Sequence, residues 1–426
     1  MEVFETLNNE MLEQMIERAN TICIEPIKYH WNGTLFSGKS DTKDDLKLDD
    51  LRFKLGFDHI ELVNSTMEEE PFSSLISSIG NLKMLAMAFI FKLPDIKING
   101  TIRMCSVLRK ALESTYKLHL TKVKVKSVIS LYIAQDNYCV YNVIHEFLHA
   151  SISLMYKQDT EMVPVYSKIQ DQHIKHSLAQ YIVQSCTKKT IDKIEKKLRT
   201  AFDMMSVSAS FNSFPYRDMF RDHTDKMKLV VDKLVDEIID STNLLLVTKK
   251  PTIILPNISV ILNFKKDDKK SFKASKNFLT GYNFLLRKKS PCVTLENDLV
   301  VLYVPVDFAD LTFEYKHANL KYGQKETRSV NIIEHYKTEG SYLTLSLRRL
   351  KGDKVDLNLL EFKIVDFIYL DSENQSYIDP FLRTWINSVL EFQVAPLIEN
   401  TFEKYLRSIL EQEKFNFSGC IIPQLS

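Results

Sequence analysis

Residues 228–262, KLVVDKLVDEIIDSTNLLLVTKKPTIILPNISVIL, decide the fold. Met227, Val230, Leu234 and Ile238 recur at three- and four-residue steps, with Asp232, Lys233, Asp236 and Asp240 between them. That spacing is an amphipathic helix. Pro251 and Pro256 cannot continue it, because proline lacks an N–H and its ring crowds the preceding turn. Ile253–Leu255 and Ile258–Leu262 are apolar and rich in β-branched residues, which favours strand. A helix running into Pro-punctuated strands is a domain opening, yet it lies mid-chain and so predicts an earlier copy of the same plan.

The 426 residues are 45% hydrophobic and 26% charged, with room for one large or two medium domains. A formal net charge of +1 gives no global attraction for nucleic acid. Only 10 glycines occur, with no GxGxxG or GxxxxGK phosphate loop, so no nucleotide cofactor is expected. The cysteines stand far apart, at 23, 105, 139, 186, 292 and 420, and form no CxxC pair. No run approaches the ~18 apolar residues of a membrane span. The opening MEVFETLNNEMLEQMIERAN lacks an apolar signal region. Sequons at Asn32, Asn64, Asn99, Asn257, Asn374 and Asn416 nevertheless point toward secretion.

Taken in order, residues 7–22 read as a helix with Met11, Met15, Ala19 and Ile22 on one face. Residues 45–63 and 82–98 read as strand. KLHLTKVKVKSVISLYI (117–133) alternates most clearly, with Lys122, Lys124 and Lys126 on one face and Val123 and Val125 on the other. Residues 174–202 return to helix, and a Ser-rich stretch ending near Pro215 has linker composition. The order then repeats: a helix over 221–243, strands to about 371, and a terminal helix over 380–410 that Pro396 is expected to break. IEKKLRTAF (194–202) aligns with FEKYLRSIL (402–410), and HEFLHASISLMY (145–156) with LEFKIVDFIYLD (360–371). The predicted organisation is a first module over 1–205, a linker over 206–218 and a second module over 219–426.

The sharpest motif is His145-Glu146-Phe147-Leu148-His149, an HExxH. On a helix its two histidines share a face and chelate zinc, with the glutamate as general base. The aligned segment LLEFKIVDFIYL reads as strand, however. On a strand the two imidazoles stand about 13 Å apart at ~3.3 Å per residue, too far for one metal. No cofactor is therefore expected, and a zinc hydrolase using His145, Glu146 and His149 is the alternative. The basic tip Lys265–Lys270 joins two strand-like stretches. It reads as a solvated hairpin, with transient contact to anionic lipid headgroups as its functional alternative.

Several stretches of the second half together resemble the insect takeout and juvenile-hormone-binding proteins and the mite group 7 allergens, members of the tubular lipid-binding (TULIP) superfamily. They are VVDKLVDEIIDSTN, PTIILPNISV, ENDLVVLYVPVDFADLTFEYKHANL, GDKVDLNLLEFKI and WINSVLEFQVAPLIENTFEKYLRSIL. In the first half, FKLPDIKINGTIRM followed by YKLHLTKVKVK is similar to that family's strand–Pro–strand pattern. The resemblance implies an α+β fold of two tandem modules, each a long helix wrapped by a strongly curved antiparallel sheet. It also implies a secreted, non-enzymatic carrier of a lipid or other hydrophobic small molecule. No single residue transfers by motif. The inward-facing apolar positions Leu234, Ile238, Val301, Phe308, Leu311, Phe313, Trp385 and Val389 are the expected tunnel lining. A ligand-free interaction protein that reuses the fold with filled cores is the third reading.

Overall fold

The structure, a computed structural model, describes residues 11–24, 27, 46–55, 58–68, 73–106, 111–165, 172–210, 215–249, 252–263, 269–296, 299–323, 325–349, 355–370, 378 and 380–412. The fold is α+β, and its strand pairings are antiparallel. Helix α1 (11–24) leads into β1 (Leu51–Leu55), β2 (Asp58–Met67), β3 (Ser74–Asn81), β4 (Ala86–Lys92), β5 (Ile96–Ser106), β6 (Leu112–Ala134), β7 (Asn137–Gln158) and β8 (Glu161–Pro164). Helices α2 (Gln172–Asp203), α3 (Val207–Ser210) and α4 (Pro215–Lys249) follow. The second set of strands is β9 (Ile253–Leu255), β10 (Ile258–Asn263), β11 (Lys269–Thr280), β12 (Leu285–Arg287), β13 (Cys292–Glu296), β14 (Leu299–Phe308), β15 (Leu311–Tyr322), β16 (Lys325–Glu339), β17 (Tyr342–Arg349), β18 (Val355–Lys363) and β19 (Asp366–Leu370). Helices α5 (Pro380–Val389) and α6 (Ala395–Gln412) close the described chain. Strands β1–β8 form one sheet, and the later strands divide between two.

The long strand β6 organises the first sheet. Its first part, Leu112–Leu120, pairs with β5, and Lys124–Ser130 pairs with β4. The break falls at Lys122, whose φ is +57°, beside register shifts against β7. Such a bulge bends a strand and changes which alternate residues face inward. Before it Tyr116, Leu118 and Leu120 are buried, and after it Val123 and Val125 are.

Beyond the bulge the alternation ends, because both faces of the sheet are covered. Met87, Phe89, Phe91, Val125 and Ile129 pack into the first core with α1 and α2. Ala86, Ala88, Val128 and Ile144 join the second core, with α4, α6 and β9–β19. The exchange is mutual, since Phe220 of α4 and Phe392 lie in the first core. Lys126 is therefore buried rather than solvated beside Lys122 and Lys124. Its ammonium donates to Glu296 Oε1 and to the Tyr303 hydroxyl, and it lies 4.9 Å from the Tyr303 ring centroid.

Other polar groups bridge the same seam. His59 Nε2 on β2 lies 3.1 Å from Ser259 O and 3.3 Å from the Ile261 N–H on β10. Burial, then the charge of Lys54, pushes its pKa down to about 4 and holds the ring neutral. Asn81 Nδ2 donates to Val293 O at 3.0 Å, and Lys228 Nζ on α4 donates to Leu131 O at 3.0 Å.

Three sequence expectations are corrected. The stretch 206–218 is not simply a linker. Val207 is fully buried in α3, its N–H donates to Asp136 O at 2.6 Å, and the Ser206 hydroxyl bonds the Asp136 carboxylate. Serine hydroxyls that satisfy local backbone explain the linker-like composition. Helix α4 already begins at Pro215, a residue suited to a first helical position, and residues 211–214 lie outside the described residues. The terminal helix is not broken at Pro396. A π-turn over Leu390–Val394 precedes it, and its wider winding relieves the clash of the proline ring with the carbonyl four residues back. Residues 45–63 hold parts of two strands, with β1 and β2 paired as a hairpin. The basic tip Lys265–Asp268 lies outside the described residues.

Removing Lys126 would strand the half-buried Glu296 and Glu146 carboxylates at the seam. Lys126→Ala is expected to cost ~3 kcal/mol, read as a lowered urea midpoint, and Glu146→Gln with Glu296→Gln added to it should recover part of that loss.

Candidate functional site

A cavity of about 740 Å³ opens where α2 and β7 meet the second half of the chain. That volume suits a small organic molecule. The first-half wall is mostly neutral: Val143, Ile144 and Phe147 from β7, and Tyr181, Gln184, Ser185 and Ile191 from α2. The sheet builds this wall because α2 is laid on β7 by the buried stripe Leu178, Ile182, Ile194, Leu198 and Phe202. The second-half wall carries Pro305, Tyr342 and Val365 among charged groups: Asp307, Glu339, Asp366 and Glu391 against Lys288, Lys289 and Lys337. Lys188 and Asp192 reach in from α2.

The π-turn sets Glu391 on this wall. Burial, then the charge of Asp366, pushes its carboxyl up to about 8, while Lys188 and the Tyr181 hydroxyl oppose the shift. Asp366 is itself raised by burial, with Lys188 opposing and Glu339 adding to it. Glu339 and Asp366 are register partners across β16 and β19. Burial also raises Asp307, which accepts from the Ser341 N–H at 3.3 Å and from the Thr338 hydroxyl at 3.4 Å. Lys289 Nζ is engaged elsewhere, 3.2 Å from Tyr141 O and 3.3 Å from Asn142 Oδ1.

The HExxH lies on β7, so the helical chelate is absent. His145 and Glu146 point to opposite sides of the sheet. His145 faces α2, with Nδ1 2.9 Å from Ser127 Oγ and Nε2 3.5 Å from Glu195 Oε2. Glu195 is pulled down to about 2 by its hydrogen bonds with His145 and Arg199. Glu146 faces the second half, where Tyr303 donates to it at 3.4 Å. His149 pairs through its backbone with Lys124, four residues beyond His145 and so about 13 Å along the strand. Among the described residues, no group of three or more His, Cys, Asp or Glu side chains could hold a metal ion. Of the motif, His145 and Phe147 line the cavity.

The eight expected lining residues sit together, in the second core and away from this cavity. Leu234 is 7% exposed and Trp385 2%, while Phe308, Leu311 and Phe313 are fully buried. Ile238, Val301 and Val389 join them in that core. Ring contacts fill the space around them: Phe308 lies 5.9 Å from Phe362 and 6.4 Å from Phe402, and Phe313 lies 5.1 Å from Tyr336. The cavity groups escaped sequence reading because Asp366, Glu391 and Lys188 are dispersed charges on three elements. Pro396, inside a continuous helical pattern, was the one local sign of an irregular turn near Glu391.

No family model matches the chain, and no curated protein matches it. Solved structures give weak likenesses. Takeout 1 from Epiphyas postvittana is 14% identical over 43% of this chain and 92% of its own, with a TM-score of 0.25. Lipopolysaccharide binding protein is 9% identical over 85% and 87%, with a TM-score of 0.18. P47 of Clostridium botulinum E1 is 9% identical over 85% of each chain, with a TM-score of 0.13. Similarities this low add nothing to the architecture described above.

Glu391 ties stability to pH. Its folded pKa of about 8 lies above the ordinary 4.5, so the folded state keeps a proton that the unfolded chain releases between those values. Stability from this group is complete below pH 4.5 and is lost as pH rises from there through 8, by on the order of 5 kcal/mol. Urea titrations at pH 5 and pH 8.5 should show that Glu391→Gln removes this part of the loss.

Proposed function

We propose that the protein binds a hydrophobic small molecule or lipid without chemically transforming it, and that the cavity between the halves receives at least part of that ligand. The carrying observation is the cavity itself, about 740 Å³, with Val143, Ile144, Phe147, Tyr181 and Ile191 on a mostly neutral first-half wall and charged groups gathered largely on the other. Burial of an apolar chain there gains roughly 25 cal/mol per Å² removed from water, and a few charged groups orient the head. This agrees with the carrier role implied by the takeout and group 7 allergen resemblance. The second core, lined by Leu234, Ile238, Val301, Phe308, Leu311, Phe313, Trp385 and Val389, is the other proposed seat. It is closely packed, so a ligand there would have to part those side chains.

Gln184 stands on the cavity wall from α2. Gln184→Trp fills the space without interrupting the helix, and is expected to weaken binding of an apolar fluorophore at least tenfold with an unchanged melting temperature. Undiminished uptake by the folded variant would move the seat to the second core.

A further inference from the structure

We infer that the protein docks on an anionic lipid surface, through an exposed apolar and basic face beside the cavity. The inference goes beyond the carrier reading and does not rest on it. Two elements of the second half make the apolar part. Phe284 and Leu286 are 60% and 47% exposed, and Lys288 continues the same alternation on the outward side of β12. Leu244 and Val247 of α4 are 68% and 47% exposed. The two pairs are neighbours, because the Asn243 side chain accepts from the Leu285 N–H at 3.2 Å and donates to Leu285 O at 2.9 Å. Single apolar side chains on a surface need no explanation, whereas a group of large ones marks a contact surface.

The charges around that face select the partner. Lys288 and Lys289 follow β12 and line the cavity. Lys289 Nζ lies 5.1 Å from the centroid of the exposed Tyr141 ring, and that ring meets the exposed Tyr132 ring edge-on at 6.3 Å. Exposed tyrosines suit a boundary that is apolar on one side and wet on the other. On the other rim of the cavity, α2 holds six bases from Lys188 to Arg199 against the acids Asp192 and Glu195, in a chain whose formal net charge is +1. A basic amphipathic helix is the pattern of a lipid-facing element. The α4 carboxylates nearest β12 are occupied: Asp236 takes the Arg287 guanidinium at 2.6 and 2.7 Å, and Asp232 accepts from the Ser290 hydroxyl at 2.9 Å. Asp240 and Glu237 remain exposed on α4, fewer than the bases that flank the face. A nucleic acid would use the bases and leave the apolar group in water. An isologous contact between two copies would cover the apolar group and bring the same lysines together. An anionic lipid surface uses both, with the apolar side chains among the acyl chains and the lysines at the headgroups.

The test is co-sedimentation of the full chain with vesicles of phosphatidylcholine, alone or with about one-third phosphatidylserine. The inference predicts binding to the anionic vesicles that weakens at high salt, and at least tenfold weaker binding to the neutral ones. Phe284→Ser with Leu286→Ser should weaken anionic-vesicle binding at least tenfold, and Lys288→Gln about fivefold. Phe284→Trp gives a second readout that keeps the face apolar: its fluorescence should shift to the blue on anionic vesicles and be quenched by brominated acyl chains. Absence of vesicle binding, undiminished binding by the double serine variant, or fluorescence of Phe284→Trp that vesicles leave unchanged overturns the inference. So does binding of a short RNA duplex as tight as that of anionic vesicles, or a solution dimer that the double serine variant dissociates and that binds no vesicle. Failure to dock leaves uptake of an apolar fluorophore, and with it the carrier reading, untouched.

Discussion

The structure depends on one constraint: strand β4 and the Val125–Leu131 run of β6 are buried on both faces. A sheet with one solvated face alternates apolar and polar residues, whereas a doubly covered one must be apolar or paired throughout. The run Val125–Leu131 obeys the second rule, with every residue buried. Its odd-numbered side chains serve the first core and Val128 serves the second. The small side chains of Ala86 and Ala88 let the second half approach closely on that face. Lys126, at the same face, is tolerated only because Glu296 and Tyr303 meet it there.

The seam explains both rigidity and vacancy. Where apolar faces and short polar bridges coincide, the halves interlock through Lys126, His59, Asn81 and Lys228. Hydrogen bonds of this kind add little net stability each, but they specify one relative placement, because any other would leave buried groups unpaired. Where α2 bridges from β7 toward the π-turn, the surfaces diverge and the cavity remains. Charges gather on the second-half wall, where β16 ends at Glu339 and β19 and the π-turn begin at Asp366 and Leu390.

Much of the architecture was legible from local pattern. The apolar spacing of 174–202 and 221–243 marked the two long helices, the second six residues short at each end, and the alternation after Lys117 marked β6. The strand reading of 143–156 held as well, and it separates His145 from Glu146. Three features were not legible. Periodicity does not say how many faces of a strand are covered, so the shared face of Lys122, Lys124 and Lys126 gave no sign that Lys126 alone is buried. Proline chemistry signals disruption but not its form, so the π-turn at Leu390–Val394 read as a break. The cavity draws on residues some 200 positions apart, and neither Lys188 nor Glu391 carries a local signature of the other. Apolar periodicity pointed instead to the second core, where Phe308, Phe313 and Trp385 are all buried and in contact with other rings.

The central claim is that the shared sheet makes the halves one cooperative unit. Differential scanning calorimetry of the full chain tests this most directly. The account predicts a single unfolding transition whose calorimetric and van't Hoff enthalpies agree. Two resolved transitions, each with about half the total enthalpy, would contradict it and would make the seam a contact between independently stable domains.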